Sequence, residues 1–118
     1  MKMRYNAPPK YGNRKITTPE GTFDSAKEYR RWCELKIMER AGIISDLRRQ
    51  VKYVLVPHQK GENGKIIERE VSYIADFVYT DKTQNKTVVE DTKGYKTEKY
   101  IIKRKLMLYI HGIVIQEI

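Results

Sequence analysis

Cysteine is almost missing from this 118-residue chain: Cys33 stands alone, so no intrachain disulfide can form. Histidine is nearly as scarce, and His58 and His111 beside a single thiol do not supply the spacing of a structural zinc site. No apolar run approaches the ~20 residues that a membrane helix requires, and Met1 to Lys10 lacks the apolar segment of a secretory leader. A reducing, cytoplasmic setting away from membranes is therefore expected. The phosphate loop Gly-x-x-x-x-Gly-Lys is absent, as is any Cys-His or Ser-His-Asp arrangement. These absences argue against a nucleotide cofactor and against covalent catalysis. Acids are also under-represented: Asp+Glu 15 face Lys+Arg 24, a formal net charge of +9. A field of that sign on so small a body favours polyanions, nucleic acid first among them.

At this length roughly two-thirds of the unfolded surface can be buried, enough for one core. Residues 1 to 15 carry only basic charges among Pro8, Pro9 and Gly12, and are expected to form a flexible basic arm ahead of a single domain over 16 to 118. Ser25 with Glu28 three residues on has the form of a capping box, which predicts a helix from Ser25 to about Arg40, ended by Gly42. Tyr29, Trp32, Cys33, Leu35 and Ile37 would give it a broad apolar face.

Val51 to Val56, halted by Pro57, reads as a strand. Turns at Gly61 to Gly64 and at Asp81 to Lys86 separate it from strands over Ile66 to Thr80 and Thr87 to Lys93. Such short connections imply an antiparallel meander. Thr97 to Ile110 has helical length, with Tyr100, Ile101, Leu106 and Leu108 placed to pack, and Ile113 to Ile118 reads as a last strand, parallel to its neighbour. The expected fold is α/β: a mixed sheet flanked by helices, in the order αβββαβ.

The informative feature is acid placed within strands. Period-two alternation puts Asp76 on one face with Ile74 and Val78, and groups Val89, Asp91 and Lys93 apart from Val88, Glu90 and Thr92. A carboxylate buried without a partner costs several kcal/mol or takes up a proton. Lys93 is one available compensator, and a divalent cation is another. Carboxylates from adjacent strands are hard oxygen ligands suited to Mg²⁺ or Mn²⁺, whose other positions go to water and substrate phosphate.

Asp76, fourteen residues, then Asp91-Thr92-Lys93-Gly94 resembles the signature of the PD-(D/E)xK nuclease superfamily. Together with Phe23-Asp24-Ser25-Ala26-Lys27-Glu28 and Tyr73-Ile74-Ala75-Asp76-Phe77, it is similar to a small family of phage-borne endonucleases of that superfamily, akin to Holliday junction resolvases. The resemblance implies a restriction-endonuclease-like core and hydrolysis of DNA phosphodiesters with Mg²⁺ or Mn²⁺. It makes Asp76 and Asp91 metal ligands, the backbone carbonyl of Thr92 a third, and Lys93 the catalytic lysine. Glu28 matches an acid of the first helix that binds or tunes the metal, although the capping box is its other reading. Ala75 occupies the place of the name-giving proline, and the doublet Glu90-Asp91 offers two second acids, of which only Asp91 shares a face with Lys93.

Basic residues that could contact phosphates are Arg48, Arg49, Lys52, Lys96, Lys99 and Lys103. With no separate base-reading module, branched DNA is a better expectation than a long base sequence, and a homodimer follows by analogy with small resolvases. A non-catalytic nucleic-acid-binding module on a degenerate nuclease fold is the alternative, and an RNA-directed nuclease is a third.

Overall fold

A computed structural model describes residues 14 to 118, so the expected basic arm lies almost wholly outside the described residues. In chain order the elements are β1 (Ile16–Thr18), β2 (Gly21–Phe23), α1 (Ala26–Arg40), β3 (Ile44–Val56), β4 (Gln59–Lys60), β5 (Ile66–Glu68), β6 (Val71–Asp81), β7 (Lys86–Asp91), α2 (Glu98–His111) and β8 (Gln116–Glu117). The main sheet has four strands in the order β3-β6-β7-β8. Its β3, β6 and β7 form the antiparallel meander, and β8 joins β7 in parallel. The fold is therefore mixed α/β, with α1, β3, β6, β7, α2 and β8 in the αβββαβ order.

Both helices begin where their sequences supply a cap. Ser25 Oγ accepts the Glu28 N–H at 3.1 Å and Thr97 Oγ1 accepts the Tyr100 N–H at 3.1 Å. Gly42 at φ 80 and Gly112 at φ 68 take the left-handed conformation just past the two helices. The apolar face of α1 is narrower than expected. It is a stripe of Glu28, Trp32, Leu35 and Met38 at helical spacing, and Ile37, a step off that line, is 62% exposed. On α2 the buried residues are Tyr100 and Met107, seven apart, whereas Leu108 points outward at 53% exposure.

The strands also differ in extent from the sequence reading. β3 starts at Ile44, seven residues before Val51, because Ser45, Arg48 and Arg49 join the ladder despite their polarity by pairing with Thr80, Val78 and Phe77 of β6. The long strand expected from Ile66 breaks into β5 and β6, and β4-β5 form a separate hairpin. A further hairpin, β1-β2, precedes α1, and the final strand shrinks to Gln116 and Glu117.

Two cores result. Leu35, Ile44, Phe77 and Tyr79 pack on the α1 side, while Tyr73, Ala75, Val78, Val89, Tyr100 and Met107 pack on the α2 side. Alternation along β6 breaks at Asp76, since Tyr73 and Ala75 join the α2 cluster but Phe77 and Tyr79 join that of α1. Ile74 and Val78, expected on one face, accordingly differ: Ile74 is half exposed and Val78 is buried.

Glu117 of β8 fastens this frame to α2. Its carboxylate accepts from Tyr100 Oη at 2.7 Å and Arg104 at 3.0 Å, and pairs with Lys96 at 3.1 Å. Burial alone would raise its pKa, but these three donors outweigh that and hold the carboxyl down at about 2. A depressed folded-state pKa contributes stability above the ordinary value of 4.5 that is lost as the pH falls toward about 2. Urea unfolding followed across that window is expected to show a steeper loss of stability for the wild type than for Glu117→Gln; parallel profiles would remove Glu117 from the acid response.

Candidate active site

The last rung between β6 and β7 is Phe77 opposite Glu90. Asp76 and Asp91 come directly after it, where the two strands part. On the other side of Asp76, the β3 ladder pairs Arg49 with Phe77 and Val51 with Ala75 but skips Gln50, whose φ of 54 is left-handed. Asp76 thus lies in a gap between three strands. A cavity of about 150 Å³ opens there, lined by Asp24, Ser25, Glu28, Asp76, Thr92, Lys93, Gly94, Tyr95 and Thr97.

The doublet Glu90-Asp91 divides between the faces of the sheet, as strand geometry requires. Glu90 turns toward α1, where Arg31 donates to both of its oxygens at 2.8 and 2.7 Å and Tyr79 donates as well. That carboxylate is fully neutralised from within. Asp91, 1% exposed, turns the other way. Tyr73 Oη donates to its Oδ2, but Oδ1 is buried with no hydrogen-bond partner, and Lys93 Nζ stands 3.5 Å away without hydrogen-bond geometry.

Asp76 is held by its neighbour strand: the Thr92 N–H and Oγ1–H donate to Oδ2 at 2.8 and 2.9 Å. Glu28, 2% exposed, accepts from the Asp24 N–H at 3.1 Å and from Gln50 Nε2 at 3.3 Å. It combines the capping position with a place in the cleft wall. Its nearest cation, Arg49, is 3.9 Å away.

Burial, followed by the repulsion of Asp76, pushes the Glu28 carboxyl up to about 7. The same two causes raise Asp91 to about 6, against the opposing pull of Tyr73 and Lys93. Both groups are thus short of positive charge. Among the described residues, no group of three or more His, Cys, Asp and Glu side chains could hold a metal ion. The structure therefore brings Asp76, Asp91, Thr92 and Lys93 to one strand end, with Glu28 beside them, but does not gather the three acids as one coordinating cluster.

The basic residues distribute unevenly. Arg49 lies with its guanidinium carbon 3.7 Å from the Phe23 ring centroid and donates to the Thr22 carbonyl at 2.9 Å. Arg48 pairs with Asp46, Lys52 with Glu70, and Lys96 with Glu117. Of the six, Lys99 and Lys103 line a cleft next to the acids. Sequence reasoning passed over Gln50 and Tyr73. Nothing in the local sequence announces the left-handed Gln50, whereas an aromatic hydroxyl in a strand beside two acids is a recognisable donor.

The chain belongs to the family described as "Protein of unknown function (DUF1064)". That family's model matches residues 8–114. No curated protein and no solved structure matches.

The two buried glutamates should respond oppositely to loss of charge. Glu90→Gln leaves Arg31 only the exposed Glu34 as its anion and is expected to lower stability by about 1–3 kcal/mol. Glu28→Gln keeps an acceptor for Asp24 while removing a disfavoured charge, and is expected to raise stability at pH 8 by about 1 kcal/mol. Urea denaturation checks both, and destabilisation by Glu28→Gln would show that its carboxylate is well compensated.

Proposed function

We propose that this protein is a metal-dependent endonuclease that hydrolyses DNA phosphodiester bonds, and that branched DNA is its preferred form of substrate. The observation that carries this reading is Asp91: a buried carboxylate on a parting strand pair, one oxygen without a hydrogen bond and ion-paired only with Lys93 at 3.5 Å, with Asp76 beside it. The αβββαβ order and the similarity of Asp76 and Asp91-Thr92-Lys93-Gly94 to the PD-(D/E)xK signature support it.

The donor set fits a hard divalent cation. Two carboxylates and a main-chain carbonyl suit Mg²⁺ or Mn²⁺, which keeps several waters and needs no all-protein cage. Asp76 and Asp91 would hold it with the carbonyl of Thr92. Such a cation supplies polarisation of a phosphoryl oxygen and a more acidic bound water.

The chain's own groups have distinct tasks in this scheme. Tyr73 fixes Asp91 through Oδ2 and leaves Oδ1 without a hydrogen bond, while Thr92 fixes Asp76. Burial and the Asp91 carboxylate hold the Tyr73 phenol well above its ordinary pKa, so it stays a donor. Lys93 Nζ, a third exposed, reaches into the cleft to meet the charge that develops on a phosphate under attack. Glu28 adds a carboxyl near neutrality at the cleft wall, the range that proton transfer uses. A non-catalytic nucleic-acid-binding module is the competing reading, favoured by the lack, among the described residues, of a three-acid metal group.

Labelled four-way junction, linear duplex and single strand, each incubated with Mg²⁺, Mn²⁺ or EDTA, separate the two. Cleavage that needs the metal and falls on the order of 10²-fold in Asp91→Asn, Asp76→Asn and Lys93→Ala is expected. The junction should be cut fastest. Binding without cutting in any metal would establish the non-catalytic module, and full activity in Asp91→Asn would remove the assignment.

A further inference from the structure

A second cleft of about 330 Å³ adjoins the first, lined by Ser72, Tyr73, Ile74, Lys93, Thr97, Lys99, Tyr100 and Lys103. The two clefts share Lys93 and Thr97, so they form one continuous trough. Their charges are opposite. The first holds Asp24, Glu28 and Asp76, whereas the second has no acid in its lining and three lysines.

Lys99 and Lys103 are one helical turn apart on α2, a like-charge spacing that weakens a helix unless an anion lies between them. Neither has an ion-pair partner among the described residues, in contrast to their neighbours Lys96 and Arg104, which share Glu117. Lys103 is partly buried, and that burial followed by repulsion from Lys99 and Lys93 lowers its pKa. Ile74, 52% exposed, and the Tyr100 ring give the trough an apolar wall.

We propose that Lys99 and Lys103 form a subsite for the phosphate adjacent to the one under attack, so that the substrate is a strand bearing at least two consecutive phosphodiesters. This rests on the nuclease reading and adds to it a minimum substrate length and a path for the strand, from the acids past Lys93 and along the first turns of α2. The wall formed by Ile74 and Tyr100 receives the sugar and base between the two phosphates.

The test compares a deoxydinucleotide, with one phosphodiester, and a deoxytrinucleotide, with two, in the presence of Mn²⁺. Wild type is expected to favour the trinucleotide in kcat/KM by about tenfold, and Lys99→Ala/Lys103→Ala to lose most of that preference. Binding of fluorescein-labelled oligothymidylate in EDTA gives a readout independent of catalysis. There the double variant should bind about tenfold more weakly, with a shallower dependence on salt. Lys60→Ala/Lys65→Ala removes the same charge from the β4-β5 hairpin, whose residues line neither cleft, and should bind nearly as the wild type does.

Equal rates on the two substrates by an active wild type, or an equal loss of binding in the hairpin variant, would overturn the subsite and leave the nuclease reading intact. A wild type that cleaves neither substrate nor any longer DNA would overturn both.

Discussion

The structure depends on where it puts negative charge. Four carboxylates, Glu28, Asp76, Glu90 and Asp91, sit on or beside the strand ends of one small sheet, and three of them are buried. Burial of a carboxylate is tolerated only with compensation, and the sheet shows both outcomes within two consecutive residues. Glu90 receives two guanidinium hydrogen bonds and a phenol. Asp91 receives one phenol, and its other oxygen has no hydrogen bond and only an ion pair with Lys93 at 3.5 Å. The fold has the means to neutralise a buried acid completely and does so one residue away, which makes the deficit at Asp91 a property of the site and not of a poor core.

The frame maintains that deficit. Asp76 and Asp91 stand just past the last β6-β7 rung, so the parting strands create room. The chain then runs through Lys93 and Gly94 into α2, whose start is fixed by Thr97 and whose distance from the sheet is fixed by Glu117. α1 closes the other wall, because Ser25 caps it and so delivers Glu28 to the cleft at its first turn. Three elements far apart in sequence meet at one cavity, each helix started by a local cap and held by contacts between elements.

Much of this was legible in the residues. The capping pattern at Ser25 located the first helix, unbroken helical length after Thr97 located the second, the turn residues located the meander, and alternation assigned Glu90 and Asp91 to opposite faces. What was not legible depends on partners. Ser45 to Gln50 look too polar for a strand until β6 lies beside them, and alternation fails at Asp76 because Gln50 opposite it adopts a left-handed backbone. The fate of each basic residue was likewise hidden. Arg49 resembles a phosphate contact in sequence, yet folding lays it over Phe23, since a delocalised guanidinium gains both a ring face and the Thr22 carbonyl there.

The distribution of charge bears on the proposed reading through a conflict it contains. A net charge of +9 favours polyanions, yet on the proposed reading the trough that a phosphate backbone would enter has carboxylates at one end. A phosphate at the lysine end is stabilised as it stands. A phosphate at the acid end meets like charge in a confined space where screening by salt is weak. The two ends therefore cannot be occupied alike by the protein alone, and a strand laid along the trough needs added positive charge at the acid end before its phosphate can settle there. Under this reading the same shortage that lifts the pKa of Asp91 and Glu28 makes occupancy by nucleic acid and by a divalent cation mutually reinforcing, each reducing the repulsion that opposes the other.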